Sequence, residues 1–425
     1  MALLLGVTTL AAAQDVDTLP DLPGKIAYIG DDSNVYVLDT QADLRTALTD
    51  DAERSRGQVR FYEWPTWSTD GRLAYFLTAI ERFGRRSTEV FVSLDGQTAG
   101  ELVYSDNDSS MTYAYWSPAD CSEGKRCRDL AVLLGGSNEF AVEVIRNTED
   151  ESSSRIIGLG SPFYYSWSPD GTQMLWQRNN RRVDVYDVND DNVENTLEQT
   201  PGRFFAPAWS PVDDRLLVGV RSEADENATD LVILPEADLE APFTLVPGLE
   251  GPIYFAWSPD GTRVAYTGRR GDAVYVVDTQ TGDTVGRSIS NGILAFFWSP
   301  DSDHLAYVTL APPPGSFSAN AGDQSRMAAQ TEEPSGLVWN VLDLEDDVTR
   351  NFEPFLPTQE FLYVLSFFDQ FGQSHNVWSP DSRYLVYSAF ILEEEQPVVQ
   401  VIDTDESFSE PLTIADGVYG VWSYN

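Results

Sequence analysis

The residues that could do chemistry are few in kind. Only two histidines, His304 and His375, occur in 425 residues, and no G-x-S-x-G nucleophile elbow is present, so a Ser-His-Asp hydrolase has little to work with. His304 begins a strand-like run in a slot that equivalent segments fill with Gln or Arg, a surface position. Acids are abundant, with 68 Asp and Glu, enough for a glycoside hydrolase or lyase working through a carboxylate pair, although sequence spacing alone sets no two of them face to face. Asp187, Asn189, Asp191 and Glu198 fall at positions 1, 3, 5 and 12 of a calcium-type loop, with Asn192 where glycine is expected. The same run also reads as a plain acidic hairpin without flanking helices. Calcium is therefore the one possible cofactor, and otherwise none is expected.

Binding chemistry is better represented. Trp64, Tyr113, Tyr164, Tyr254, His375 and Tyr419 each stand three residues ahead of a Trp-Ser doublet. Placed around a ring, they would form a collar for a sugar, peptide or other planar ligand, or else fill a wide centre. Three arginine pairs, Arg85 with Arg86, Arg181 with Arg182, and Arg269 with Arg270, would give an anion-binding rim or salt-bridge to neighbouring acids. Cys121 and Cys127 are the only cysteines; in an exported chain they form a local disulfide, and a zinc site lacks further ligands nearby.

What positions these residues is a repeat. Trp67, Trp116, Trp167, Trp209, Trp257, Trp298, Trp378 and Trp422 are each followed by serine, six of them as W-S-P, at intervals of 49, 51, 42, 48, 41, 80 and 44 residues. Such a period marks a solenoid or propeller, in which each unit buries its apolar face only against its neighbours. The unit from Ile253 to Gly292 reads as a four-stranded antiparallel meander: a first strand ending at Trp257, a turn at Ser258 to Gly261, then strands at Arg263 to Thr267, Ala273 to Asp278 and Thr284 to Ser290. Proline presets the turn, aspartate bonds the local backbone, and glycine takes the positive φ. The tryptophan is a wedge between blades.

Third strands counted separately (VYVLD, VFVSLD, FAVEVI, VDVYDV, LVIL, VYVVD, LVWNVLD and VVQVID) also number eight. The first has no W-S strand before it, and the last W-S strand, GVYGVWSYN, has nothing after it. Pairing the C-terminal strand with the N-terminal strands closes the ring without free edges. The fold expected is thus all-β, an eight-bladed β-propeller, with seven blades as the alternative. The W-S-P-D-G hairpins, complete at Trp167 to Gly171 and Trp257 to Gly261, resemble the TolB-type, WD-like propeller repeat. That resemblance covers the propeller only, without the TolB N-terminal domain, and implies a binding or scaffolding platform. No α/β-hydrolase segment is recognised after the repeats, so an enzyme of the prolyl-oligopeptidase kind is not expected.

The long interval reflects insertions in blade seven, at 311–335 and about 353–373, both on the end opposite the W-S-P turns. Long loops on a rigid scaffold often carry function; the second, with Phe361, Tyr363, Phe367, Phe368 and Phe371, reads as a lid or short helix because five bare aromatics would not stay exposed. Residues 1–13 read as a signal peptide, 14–24 as a linker and 25–425 as one propeller domain, which predicts an extracellular or periplasmic protein. No later stretch is long and apolar enough for a membrane helix, and a net charge of −41 argues against nucleic acid. The expectation is a monomeric, non-enzymatic propeller that binds protein, peptide or glycan through the face bearing the insertions; the alternative is a carbohydrate-active enzyme using channel carboxylates.

Overall fold

The computed structural model describes residues 19–425, apart from residues 43, 56–57, 81–83, 85, 122–126, 137–138, 149–150, 236–238, 240, 269–272 and 291 and the stretch 312–335. The proposed signal peptide, most of the first insertion, and Arg85, Arg269 and Arg270 therefore lie outside the described residues.

The fold is an all-β propeller whose antiparallel strands hydrogen-bond into seven sheets. The unit read most closely from sequence is found nearly as expected, with strands Tyr254–Trp257, Arg263–Thr267, Tyr275–Asp278 and Thr284–Arg287. The ring closes as predicted: Ile26 pairs with Trp422 and Ala27 with Val421. The sheet count matches the seven-blade alternative rather than eight separate blades. Strand Leu412–Trp422 explains the difference. Its first half pairs with Gln396–Asp403 as the outer strand of one repeat, and its second half pairs with Lys25–Gly30 as the inner strand of the next. Two repeats thereby merge into one six-stranded sheet, so eight tryptophan units ride on seven sheets.

The tryptophans are wedges. Each is nearly buried or partly buried, and the indole Nε1–H commonly donates to the carbonyl of the residue just before the preceding tryptophan. Trp116 donates to Thr66 at 3.0 Å, Trp167 to Tyr115 at 3.1 Å, Trp257 to Ala208 at 3.2 Å, Trp298 to Ala256 at 3.2 Å and Trp378 to Phe297 at 3.1 Å. Each bond satisfies a polar ring edge at a dry blade junction, where an orphan would be costly. The following serine fixes the turn. Ser258 Oγ donates to the Asp260 carboxylate and accepts from Arg263 N, 3.0 Å away, while Gly261 takes φ 68°.

One element had no sequence warning. The short strand Glu53–Ser55 pairs with an inner strand lengthened to Gln58–Trp67, giving that sheet a fifth strand. Its register breaks between Glu63 and Thr66, a bulge that re-aims the side chains between them.

Candidate functional site

The aromatic insertion folds into two helices, α1 (Gln359–Ser366) and α2 (Phe368–Phe371). Thr358 caps α1 by accepting from Phe361 N and donates its own hydroxyl to Val418 O at 2.6 Å. Phe361, Val364, Leu365, Phe368 and Phe371 are all buried. The helices fill the ring of inner strands. Gln370 accepts from Tyr165 N at 3.0 Å and donates to Tyr165 O at 2.8 Å, its backbone carbonyl takes the Tyr113 hydroxyl at 2.9 Å, and Asp369 accepts from Ala206 N at 3.1 Å. Inner-strand groups that would otherwise face an empty channel are thus satisfied by the chain itself.

This decides the fate of the collar. The structure brings its members around one centre, but α1 and α2 occupy that centre. Trp64 packs on Tyr363, Phe371 and Tyr419, Tyr113 on Phe371 and His375, and Tyr254 on Phe368, all with ring centroids within 6.0 Å. Trp64, Tyr113, Tyr254, His375 and Tyr419 are buried; Tyr164 is partly so and touches Phe205. In this packing the collar residues surround the helical segment at the centre of the ring.

His375 looks at first like a catalytic imidazole, since Nδ1 lies 2.7 Å from Ser374 Oγ and Nε2 lies 3.1 Å from Thr66 Oγ1. Thr66 spends its proton on Trp64 O, so Nε2 is the donor and Nδ1 accepts from Ser374. Burial pushes the imidazole down to about 3, and the ring is a neutral structural bridge. His304 starts the strand His304–Leu310 beside Asp301 and Asp343, at 3.4 and 3.7 Å.

The other expectations scatter. Arg182 pairs with Asp184 at 2.6 Å, and Arg178 joins the same carboxylate at 2.7 Å, so that part of the rim is salt-bridged; Arg86 and Arg181 are exposed. Asp187 and Asp191 serve their hairpin: Asp187 accepts from Asp190 N, and Asp191 from the Tyr186 hydroxyl. Among the described residues no clustering of metal-ligand atoms joins Asp187, Asp191 and Glu198. Cys121 and Cys127 form a disulfide with Cα atoms 5.3 Å apart. Their sulfurs lie near Asp129, but being bonded to each other they are not thiolate ligands, and Asp129 pairs with Arg146 at 2.9 Å.

With the centre of the ring filled by the helices, one open space lies on the tryptophan side. A cavity of about 370 Å³ is floored by Phe368, Asp369, Gly372 and Gln373 of the helical segment and by neighbouring inner-strand residues. Its rim is made by the residue two after every repeat tryptophan: Thr69, Pro118, Pro169, Pro211, Pro259, Pro300, Pro380 and Tyr424. The walls carry Tyr115, Ser166, Ala208, Ala256, Phe297 and Val377, each just before a tryptophan. Asp369 is the single carboxylate lining it among the described residues. Sequence reading assigned this face to structure alone. The signal it passed over was the W-S-P proline itself, which serves both as turn former and as rim.

Comparison with known proteins supports the fold and little beyond it. No protein-family profile matches the chain. A dipeptidyl-peptidase 5 from Porphyromonas gingivalis is 25% identical over 349 residues, covering 76% of this chain and 43% of that protein; the chain spans less than half the length of this relative. Among solved structures, a eukaryotic initiation factor superposes with a TM-score of 0.51 over 95% of this chain and 98% of the other, at 9% identity, which shows shared fold alone. TolB from Acinetobacter baumannii gives 0.37 at 13% identity, covering 86% of this chain and 83% of the other, a likeness too loose to carry the TolB type over. The class established is a β-propeller. Among the described residues, no helix is long and apolar enough to cross a membrane.

Proposed function

We propose that this propeller is a non-enzymatic binding module that receives an extended peptide or polypeptide segment at the tryptophan-side mouth of its channel. The observation that carries this reading is the proline-rimmed cavity of about 370 Å³, closed below by α2. A concave site with apolar and aromatic walls and a few fixed polar groups suits an extended peptide. Polar residues lining it include Tyr115, Gln373, Asn376 and Tyr424. The peptide class also accords with the name of the dipeptidyl-peptidase relative. The competing reading, a carbohydrate-active enzyme using a carboxylate pair in the channel, needs two facing acids; this cavity presents Asp369, already accepting from Ala206 N. The proposed binding end is thus the reverse of the insertion-bearing face expected from sequence, with α2 as its floor.

The test is a peptide array probed with the full chain, followed by affinities for the best binder. Tyr115→Ser combined with Tyr424→Ser should weaken binding about tenfold or more, with unchanged circular dichroism, while Tyr164→Ser on the plugged side should leave it intact. The reverse pattern would sink the proposal, as would an array without binders.

A further inference from the structure

A second cavity, of about 600 Å³, opens on the other side of the plug, with a different chemistry. Three parts of the chain build it: the closing sheet (Ile29, Val418 and Tyr419), the five-stranded sheet with its added hairpin (Arg54, Phe61 and Tyr62), and α1. Three carboxylates line it, Asp31, Glu63 from the bulge and Glu360 from the first turn of α1. The bulge is costly. Trp64 sits at φ 50°, a left-handed conformation that a bulky side chain rarely adopts. It is held there by Tyr363, Phe371 and Tyr419, and Glu63 next to it lines the cavity.

We propose that this cavity binds a small organic cation, a protonated amine on an apolar or aromatic body, with Glu63 and Glu360 taking the ammonium and Trp64, Phe61, Tyr62 and Tyr419 enclosing the body. Charge and shape agree. Asp31, Glu63 and Glu360 face one cation, Arg54, among the lining residues, and Arg54 is turned to Ser33 Oγ at 3.3 Å. Aromatic faces beside carboxylates are the surroundings an ammonium group prefers. Glu63 accepts the Thr78 hydroxyl at 2.8 Å on Oε2. Burial and then the Glu360 charge push its carboxyl up to about 7, against the Thr78 bond and Arg86. A bound ammonium would pair with the ionised carboxylate and offset both effects.

The experiment titrates the full chain at pH 8 with benzylammonium chloride, with benzyl alcohol as the uncharged isostere and calcium chloride as the competing ion, read by calorimetry. Benzylammonium should bind at least about tenfold more tightly than benzyl alcohol. Glu63→Gln and Glu360→Gln should each cost about tenfold, while Tyr115→Ser at the opposite mouth should change nothing. Because the two cavities lie on opposite sides of the plug, failure here leaves the peptide site standing. Equal binding of the amine and alcohol, absence of binding by either, glutamine variants that bind as wild type, or calcium binding in place of the amine would each overturn the proposal.

Discussion

Gln370 grips Tyr165 at both backbone atoms, accepting from its N–H at 3.0 Å and donating to its carbonyl at 2.8 Å. A side-chain amide here completes the free edge of an inner strand as another strand would. Together with Tyr113 on the Gln370 carbonyl and Asp369 on Ala206 N, this makes the helical insertion part of the channel wall and the floor of the tryptophan-side cavity.

Gln370→Ala should therefore destabilise the protein by about 2–4 kcal/mol, since it strands a buried N–H and a buried carbonyl at once. Urea denaturation measures this. A change under half a kcal/mol would mean that the plug is held by its aromatics alone.

The tryptophan wedges should divide into two groups. Trp116→Phe and Trp257→Phe lose an indole bond to Thr66 O and Ala208 O, so each should cost about 1 kcal/mol beyond the packing change. Trp209 and Trp422 have buried indole nitrogens without a bond, and their Phe variants should cost less. Thermal melts of the four variants give the comparison.

Glu63 predicts a stability loss on the alkaline side. Its folded-state value, raised by burial and then by Glu360 to about 7, lies above the unfolded carboxyl value. The folded state therefore holds the proton more tightly, and this stabilisation is full below about pH 4 and lost as pH rises to about 7. Glu63→Gln should melt higher than wild type at pH 8, with the gap closing near pH 4. A gap independent of pH would contradict the assignment.

His375 predicts the opposite edge. Burial lowers it from the ordinary 6.5 to about 3, so the unfolded chain binds the proton first. Its contribution is complete above pH 6.5 and erodes as pH falls toward 3. Its imidazole resonance should stay flat between pH 5 and 8, read by proton NMR against a His375→Gln variant for assignment. A midpoint near neutrality would overturn the buried bridge.

Much of the fold was legible because it is periodic. The W-S-P-D-G turns, the third strands and the closure at Ile26 and Trp422 all follow from local pattern and the need to cover sheet edges. The sheet count was not legible: whether the last repeat's outer strand stops before Gly417 or runs on to Trp422 depends on backbone continuity, which no residue between Leu412 and Trp422 marks. The strand Glu53–Ser55 is short, polar and exposed, so neither periodicity nor apolar content signals it. Phe361 and Phe371 were recognisable as buried, but that they would fill the collar depends on how far the insertion reaches across the ring. Glu63 was one acid among 68 until the bulge at Trp64 singled it out.

The central claim is that the channel's tryptophan-side mouth receives a peptide. Photocrosslinking tests it most directly: a peptide selected on the array, carrying one benzophenone residue, is irradiated with the protein and the adduct mapped by mass spectrometry. The account predicts adducts at Tyr115, Gln373, Asn376 or Tyr424, on the walls and floor of the 370 Å³ cavity. Adducts confined to Tyr164, to the Glu63 cleft or to the outer strands of the blades would contradict it.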